Sequence, residues 1–185
     1  MVVPRPIAWV STISADGVEN LAPHSLFTIS SAVPAIVQFT SVGHKDSLRN
    51  AVDTGEFVVN LANRENFEQV NATGTNFPAD VDEFEAVGLE REPSASVRPS
   101  RVASSPVALE CSTEGTREFG DSVVVFGRLK HVAIDEAVLT DGRPDIHKLD
   151  PLARLGGPFA WSAIGEILET TRIPYEEWPG HYDPE

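Results

Sequence analysis

This sequence has one cysteine, no long apolar run and no excess of basic residues. The single cysteine, Cys111, cannot form an intramolecular disulfide and has no second cysteine with which to share a zinc ion. No apolar run approaches the roughly 20 residues that cross a bilayer, and no signal-peptide pattern opens the chain. These absences predict a protein of the reducing cytoplasm that has no membrane partner.

Basic residues are outnumbered by acidic ones. The chain has 14 Lys and Arg against 28 Asp and Glu, and its formal net charge of −14 repels nucleic acid and anionic membrane surfaces. An anionic ligand would therefore need a local pocket of positive charge. His131 and His147 have no other ligands at metal-binding spacing, so we expect no metal site.

The composition is sufficient for one sizeable domain over residues 1–185. Hydrophobic residues make up 41% of the chain, and a domain of this length buries roughly 70% of its unfolded surface. Asp16-Gly17 and Asp141-Gly142 are turn signals, and Gly127 predicts a bulge or bend. Strands are predicted within residues 7–10, 35–41, 57–61, 107–112, 122–134 and 161–168. The pattern indicates a mainly β (α+β) fold, a β-barrel with short helical insertions.

Other segments are less regular. Residues 20–29 contain Pro23 and are predicted to form a loop or an edge strand. Residues 65–72 have the spacing of a brief helix capped by Asn63, and residues 81–87 that of an acidic helical turn.

A short helix is predicted to begin at Lys45-Asp46-Ser47 and to end at Thr54-Gly55, with Leu48, Ala51 and Val52 toward the core and Arg49 and Asn50 away from it. The amides of a first helical turn have no partner inside the helix and carry partial positive charge. Together with the Lys45 ammonium, the Ser47 hydroxyl and the Asn50 amide, they could hold a phosphate. The alternative is an ordinary surface helix capped by Asp46 or Ser47.

Several short motifs follow one another along the chain. The first three are residues 4–12 (Pro-Arg-Pro-Ile-Ala-Trp-Val-Ser-Thr), residues 20–27 (Asn-Leu-Ala-Pro-His-Ser-Leu-Phe) and residues 45–50 (Lys-Asp-Ser-Leu-Arg-Asn). The others are residues 55–61, 82–89, 106–111 and 154–157. Through their order and spacing, the chain resembles the flavin reductase-like family over nearly its whole length. The resemblance implies a six-stranded FMN-binding split β-barrel with short helical insertions, FMN as cofactor, and a homodimer that binds FMN near its interface. Members of that family usually have further residues before this first motif, so we expect either a short terminus here or a misplaced start.

The resemblance also implies a phosphate site. Lys45, Asp46, Ser47 and Asn50 would surround the phosphate, and Ser41 would assist from a strand end. Because the Asp46 carboxylate would repel a phosphate, we expect its amide to bind while its side chain caps the helix or pairs with a base. Ser11 and Thr12, also at a strand end, would contact FMN or simply face water.

The flavin ring, by the same resemblance, would lie beside a turn at residues 20–25. Asn20, Ala22, Pro23, His24 and Ser25 belong to this segment. Ala22 and Pro23 would allow close backbone approach, and backbone amides with the Ser25 hydroxyl would bond the pyrimidine carbonyls and N5.

Four aromatic or histidine positions and one further phenylalanine are also candidates for the flavin site or its surroundings. The ordinary pKa of a histidine would let His24 donate a proton, or its role could be local. His44 could add charge near the phosphate. Trp9 and Phe27 could form a shelf for the ring, although such aromatics more often pack in the core. Phe159 lies two residues after Gly157. Members of the family often have a tyrosine at this position, so its hydroxyl is missing here. Phe159 could approach the partner subunit's cofactor or belong to a simple turn.

We therefore expect an enzyme, an FMN-dependent oxidoreductase in which NAD(P)H delivers a hydride to flavin N5 and the flavin passes electrons to a small-molecule or protein acceptor. No Gly-x-Gly-x-x-Gly unit is present, so the nucleotide would lie over the flavin, with Arg5, Arg49 and Arg154 as candidate phosphate partners. One alternative is a flavin-binding electron carrier or flavin store without its own NAD(P)H activity. Another is a binding module or structural dimer that has lost the cofactor.

Overall fold

The computed structural model describes residues 2–157 and 159–178, and these residues form a mainly β fold, as the sequence predicts. The strands are β1 (Arg5–Pro6), β2 (Ala8–Ile13), β3 (Glu19–His24), β4 (Phe27–Ser31), β5 (Ile36–Val42), β6 (Glu56–Leu61), β7 (Arg91–Glu92), β8 (Arg101–Val102), β9 (Val107–Phe119), β10 (Ser122–Ile134), β11 (Leu139–Thr140), β12 (Arg143–Pro144), β13 (Ala153–Arg154) and β14 (Trp161–Ser162). The α-helices are α1 (Asp46–Thr54), α2 (Phe67–Ala72), α3 (Glu83–Ala86) and α4 (Ile146–Leu149), and 3₁₀ turns lie at Arg64–Asn66, Glu136–Val138 and Tyr175–Glu177.

One antiparallel sheet of seven strands, in the order β3-β2-β6-β9-β10-β5-β4, forms the barrel wall. Its edge strands β3 and β4 do not pair with each other within the described residues, so the barrel is split. The chain itself crosses this split at Ser25 and Leu26, where the amide of Thr40 donates to the carbonyl of Leu26 at 2.9 Å. The sheet has one strand more than the six implied by the resemblance, because residues 19–31 supply two edge strands. Pro23 does lie in an edge strand, as predicted.

A second sheet of three short strands, in the order β1-β13-β14, packs beside the barrel. The sequence predicts a last strand over residues 161–168. The predicted length is wrong, because only Trp161 and Ser162 pair with another strand. Their partner β13 is itself two residues long and has β1 on its other side, which leaves the rest of the predicted strand without a neighbour in this sheet. The Asp16-Gly17 and Asp141-Gly142 turns close the β2–β3 and β11–β12 hairpins, as expected.

Two apolar clusters lie on opposite faces of β2, because its side chains alternate with period two. Ala8 and Val10 belong to the cluster inside the barrel, which also contains the buried Cys111. Burial raises the pKa of the Cys111 thiol to about 12, so it is a small apolar residue, as predicted. Ile7 and Trp9 face the other way, into a cluster under α2 and α3.

Helix α1 closes one end of the barrel. Leu48 and Ala51 are buried, and the Gly55 φ of 75° ends the helix, as predicted. Two expectations are wrong. Asn50 was expected to face away from the core but is only 3% exposed, and Val52 was expected to face the core but is 51% exposed. The N-cap residue is Lys45, and neither Asp46 nor Ser47 fills this position.

The shorter helical segments follow the sequence closely. The Asn63 side chain accepts a hydrogen bond from the amide of Asn66, which caps the turn that precedes α2, and Asp82 caps α3 in the same way. None of the helices described in residues 2–157 and 159–178 has both the length and the apolar character needed to span a membrane.

Gly127 lies at the register shift between β9 and β10 that follows Phe126. Packing also leaves no space for a side chain at this position. A Cβ atom at this position would lie 2.1 Å from Cζ of Phe57 and 3.0 Å from Cβ of Cys111. Phe57 is fully buried in the barrel core, where close packing opposes movement of its ring.

We therefore expect Gly127→Ala to lower the free energy of unfolding by about 1–3 kcal/mol, the usual range for an overpacked core. The matched control is Gly115→Ala in the neighbouring strand, where an added Cβ meets nothing within 4 Å. Urea denaturation of both variants measures the difference. Equal stabilities would show that the Phe57 ring can move aside.

Candidate functional site

A cavity of about 400 Å³ lies at the split in the barrel. Its walls come from β3 and β5, from the first turn of α1 and the residues before it, from the turn after α2, and from α3. It brings together most of the residues that the sequence predicts to contact a flavin. The predicted residues that line it are Asn20, Ala22, Pro23, His24, Ser25, Lys45, Asp46 and Ser47, and the candidate His44 lines it as well.

Strand β3 presents an edge of its backbone to this cavity. The amide of Leu21 donates to Oε2 of Glu83 at 3.0 Å, so at this residue the backbone faces away from β2. Because backbone direction alternates along an antiparallel strand, Pro23 faces the same way and has no N–H group to leave unpaired. Residues 19–24 thus form a regular edge strand, the second of the two conformations predicted for this segment, and the chain turns only after it.

The other end of the cavity is electropositive. The first turn of α1 has no side-chain cap, which leaves the amides of Asp46, Ser47 and Leu48 without partners in the helix. Nζ of Lys45 donates to Oδ1 of Asn76 at 3.1 Å, at the rim of the cavity. The Asp46 carboxylate pairs with Arg49, one turn further along α1, as expected for a carboxylate that would otherwise repel an anion.

Thr12 and Asn50 do not line the cavity, but they support residues that do. Nδ2 of Asn20 donates to Oγ of Ser47 at 3.1 Å and to Oγ1 of Thr12 at 3.3 Å. Nδ2 of Asn50 donates to the same Thr12 oxygen at 3.2 Å. All four side chains are buried, so this network fixes the first turn of α1 against β2 and β3.

Ser11 and Ser41 are not brought to the cavity. The Ser11 hydroxyl lies on the opposite face of β2 from Thr12, where it donates to the carbonyl of Ser100 at 2.6 Å. Ser41 donates to the carbonyl of Gly43 at 2.8 Å and so stabilises the loop that leads to α1. Both are buried, so neither is a hydroxyl that faces water.

His24 is a neutral histidine in the cavity wall. Its Nδ1 lies 3.3 Å from the carbonyl of Thr40, which can only accept, so Nδ1 carries the proton. Burial lowers the pKa of His24 to about 4, with a further lowering from the charge of Lys45 and an opposing effect of the Thr40 carbonyl. Nε2 is a buried acceptor with no hydrogen-bond partner among the described residues.

Glu83 is the main residue of the site that sequence reasoning missed. It is only 5% exposed, it lines the cavity, and burial raises the pKa of its carboxyl group. Glu83 lies in the motif at residues 82–89, but an acidic helical turn on its own predicts a solvent-exposed surface. The turn after α2 was missed too: Thr73 and Phe77 line the cavity within it.

The aromatic candidates are core residues. Trp9 is fully buried, and its Nε1 donates to Oγ1 of Thr73 at 2.9 Å, while Phe27 packs against the barrel core. Phe159 is 89% exposed. Arg5 and Arg154, unconnected in the sequence, lie opposite each other on β1 and β13, whereas Arg49 is the partner of Asp46.

Known proteins share both the sequence and the fold of this chain. A sequence model described as a flavin reductase like domain matches residues 1–152. An uncharacterized protein of Aquifex aeolicus (strain VF5) is 37% identical over 172 residues, which are 90% of this chain and 88% of that protein.

Two solved structures superpose closely. Nitrilotriacetate monooxygenase component B from Bacillus cereus has a TM-score of 0.87 and 29% identity, covering 91% of this chain and 88% of its own. Pseudomonas fluorescens 2-nitrobenzoate 2-nitroreductase NbaA has a TM-score of 0.86 and 29% identity, covering 94% and 87%. With the match over residues 1–152, these similarities show that the chain belongs to the flavin reductase-like family, with a split-barrel fold.

Proposed function

We propose that this protein is an FMN-dependent oxidoreductase and that FMN binds in the cavity at the split. One observation carries the proposal: a single cavity joins an uncapped helix N-terminus beside a lysine to the exposed backbone edge of a strand. Its volume of about 400 Å³ is within the usual range of roughly 300–1,000 Å³ for small-molecule sites. Bound there, FMN would accept a hydride from NAD(P)H and pass the electrons to an acceptor.

The phosphate fits the end of the cavity at α1. Three helical amides without partners in the helix, the Lys45 ammonium and the Ser47 hydroxyl provide donors and positive charge in a chain whose net charge is −14. Asn20, Thr12 and Asn50 would act by holding Ser47 in place. Because Asp46 is neutralised by Arg49, its carboxylate would not repel the phosphate fully.

The flavin ring fits the end of the cavity at β3. By the same alternation Ala22 pairs with Val10 on β2, so the backbone group open to a ligand here is the carbonyl of Pro23, and the Ser25 hydroxyl lies where the edge strand ends. Since His24 is neutral with its proton on Nδ1, it would accept a hydrogen bond through Nε2 and would not serve as a proton donor at neutral pH. Glu83, with its raised pKa, would hold the Leu21 amide and so keep the strand edge in position.

The electron donor and acceptor are proposed by analogy with relatives. Two of the structural neighbours are a monooxygenase component and a 2-nitrobenzoate 2-nitroreductase, which favours a small organic molecule or an oxygenase as the acceptor. We also propose a homodimer, because Leu26, Ile29 and Val33 are exposed beside the split, on and next to edge strand β4. The buried, unbridged Cys111 agrees with the cytoplasm as the compartment.

Oxidation of NADH and NADPH by FMN-loaded protein tests the function directly. We expect turnover well above that of free FMN with at least one nucleotide, because the protein would hold the two reactants together. The control is FMN alone at the same concentration. Turnover no faster than the control with either nucleotide would remove the reductase, and rapid reduction by a partner protein alone would instead support an electron carrier.

Lys45→Ala tests the position of the phosphate. We expect FMN to bind more weakly by about 1.5–3 kcal/mol, the range for a hydrogen bond to a charged group. The matched control is Lys130→Ala, which removes the same charge from an exposed position on β10. Flavin fluorescence titration measures both affinities, and an equal loss in the two variants would indicate a general charge effect instead of a phosphate site.

His24 also predicts a pH dependence of stability. Its pKa is 6.5 in an unfolded chain and about 4 in the fold, so the unfolded state binds more protons between these values. The stability that depends on neutral His24 is therefore complete above pH 6.5 and is lost as the pH falls toward 4.

We expect His24→Gln to show a smaller loss of stability than the wild type over this pH range, measured by urea denaturation. His147→Gln is the control, because this histidine is exposed on α4. Identical pH profiles for wild type and His24→Gln would mean that His24 is not buried as a neutral ring.

A further inference from the structure

Glu83 places a buried carboxyl group in the wall of the cavity at the split. It is the first residue of α3, and only 5% of it is exposed. One of its oxygens, Oε2, accepts from the amide of Leu21 at 3.0 Å. A proton on the other oxygen would leave this hydrogen bond in place. The carboxyl group can therefore change its charge and still hold the edge strand β3.

The carboxylates near Glu83 are paired with arginines, whereas Glu83 is not. Asp46 at the start of α1 pairs with Arg49, and Asp82, the cap of α3, pairs with Arg91 at 2.6 Å. Within residues 2–157 and 159–178, no lysine, arginine or histidine forms an ion pair with Glu83. Its negative charge is thus the one in the cavity wall that a second anion would meet directly.

The surroundings of Glu83 favour its neutral form. Burial raises the pKa of its carboxyl group, and the charges of Asp46 and Asp82 raise it further. Hydrogen bonds from the Leu21 amide and from its own backbone act in the opposite direction.

Other titratable groups belong to the elements packed around Glu83. Strand β3 carries Glu19, which accepts from the hydroxyl of Ser100 at 2.7 Å and whose pKa is raised by burial, and His24, whose pKa is about 4. Lys45 and His44 line the cavity from the side of α1. An experiment on Glu83 must therefore separate its titration from that of these groups.

The same cavity contains the free amides of α1 and the Lys45 ammonium, where we place the FMN phosphate. A phosphate monoester carries a charge of about −1.5 to −2 at pH 7. Its repulsion of a buried carboxylate is screened less than it would be in water. Because coupling between two binding events is reciprocal, an anion that favours protonation of Glu83 must itself bind better once Glu83 is protonated.

We propose that Glu83 regulates the affinity of the cavity for phosphate-bearing ligands: it opposes them while ionised and takes up one proton from solvent when they bind. Affinity for a ligand with the same ring but no phosphate would not depend on Glu83 in this way. The inference rests on the proposed function for the identity of the ligand. It concerns charge in the cavity wall and makes Glu83 no part of electron transfer.

The test compares the FMN affinity of wild type and Glu83→Gln by flavin fluorescence titration between pH 5.5 and pH 8. Glutamine keeps an oxygen that can accept from the Leu21 amide but cannot ionise. We expect the variant to bind FMN about tenfold more tightly than wild type at pH 8, which corresponds to a change of one unit in the pKa of Glu83, and equally at pH 5.5. A residue that only held β3 in position would make the variant bind equally or more weakly at every pH, and this result would overturn the proposal.

The comparison has a matched control in the same helix. Glu85→Gln removes the same charge from a side chain that is 77% exposed and lies 3.3 Å from Arg91. It should bind FMN as wild type does at every pH. Titration of His44 and of the phosphate itself contributes equally to wild type and variants, so it cancels. An equal gain in the Glu85 variant would indicate a general charge effect and overturn the role of Glu83.

Riboflavin, which lacks the phosphate, separates the two ends of the ligand. Wild type and Glu83→Gln should bind riboflavin with the same affinity at pH 8. A gain with riboflavin as large as that with FMN would show that Glu83 does not act on the phosphate, which would overturn the proposal.

Proton uptake by wild type can be measured without a variant. Calorimetric titration with FMN at pH 7, in two buffers of different ionisation enthalpy, should show net uptake of protons, and no uptake or net release would contradict the proposal. Failure of wild type to bind FMN at any pH would instead count against the proposed function. Inorganic pyrophosphate, followed by phosphorus NMR, then tests Glu83 alone: the tighter binding by Glu83→Gln at pH 8 should persist, and its absence would overturn the role of Glu83.

Discussion

The exposed backbone edge of β3 is the constraint on which the site depends. An unpaired edge invites pairing with another chain, and proteins usually cover it or interrupt it. Here it is managed by two residues: Glu83 accepts from the Leu21 amide, and Pro23 has no amide to offer. What is left at this edge is the outward-facing carbonyl groups of Leu21 and Pro23, which can accept hydrogen bonds. The split in the barrel is therefore the place where the fold leaves hydrogen-bonding capacity unused.

The second requirement is that α1 stays fixed relative to that edge. The phosphate and the ring of the proposed FMN are a limited distance apart, so the groups that would bind them must keep a matching separation. The buried network of Asn20, Ser47, Thr12 and Asn50 connects the helix start to β2 and β3 without using a charge. Thr12 and Asn50 therefore support the position of Ser47, although neither of them lines the cavity.

Much of the fold could be predicted from the sequence because its signals are local. The two Asp-Gly turns and the end of α1 depend on positive φ angles that few residues adopt, and each was placed correctly. The irregularity at Gly127 was also placed correctly, because a glycine inside a strand is typical of a bulge or a close approach. The second edge strand and the length of the last strand were not, because strand length depends on which partners are available, and partners come from distant parts of the chain.

The candidate site likewise contains residues that local sequence signals predict and residues that only the tertiary structure reveals. Lys45 and Ser47 could be found from the helix start, whereas Glu83 could not, since its burial depends on α3 packing against β3. Asn50 was expected to face away from the core because periodicity in an isolated helix cannot show a polar partner such as Thr12 on another strand. Arg5 and Arg154 are far apart in sequence, and only the pairing of β1 with β13 brings them together.

The walls of the cavity at the split come from residues within 20–26, 40–47 and 73–77 and from Glu83, and only the complete fold brings these residues together. A molecule that occupies this space would thus bind the native state and not the unfolded chain. By mass action, occupancy at 100 times the dissociation constant would add about 2.7 kcal/mol to the free energy of unfolding. If that molecule is FMN, as we propose, the folded fraction of the protein would rise with the concentration of free FMN.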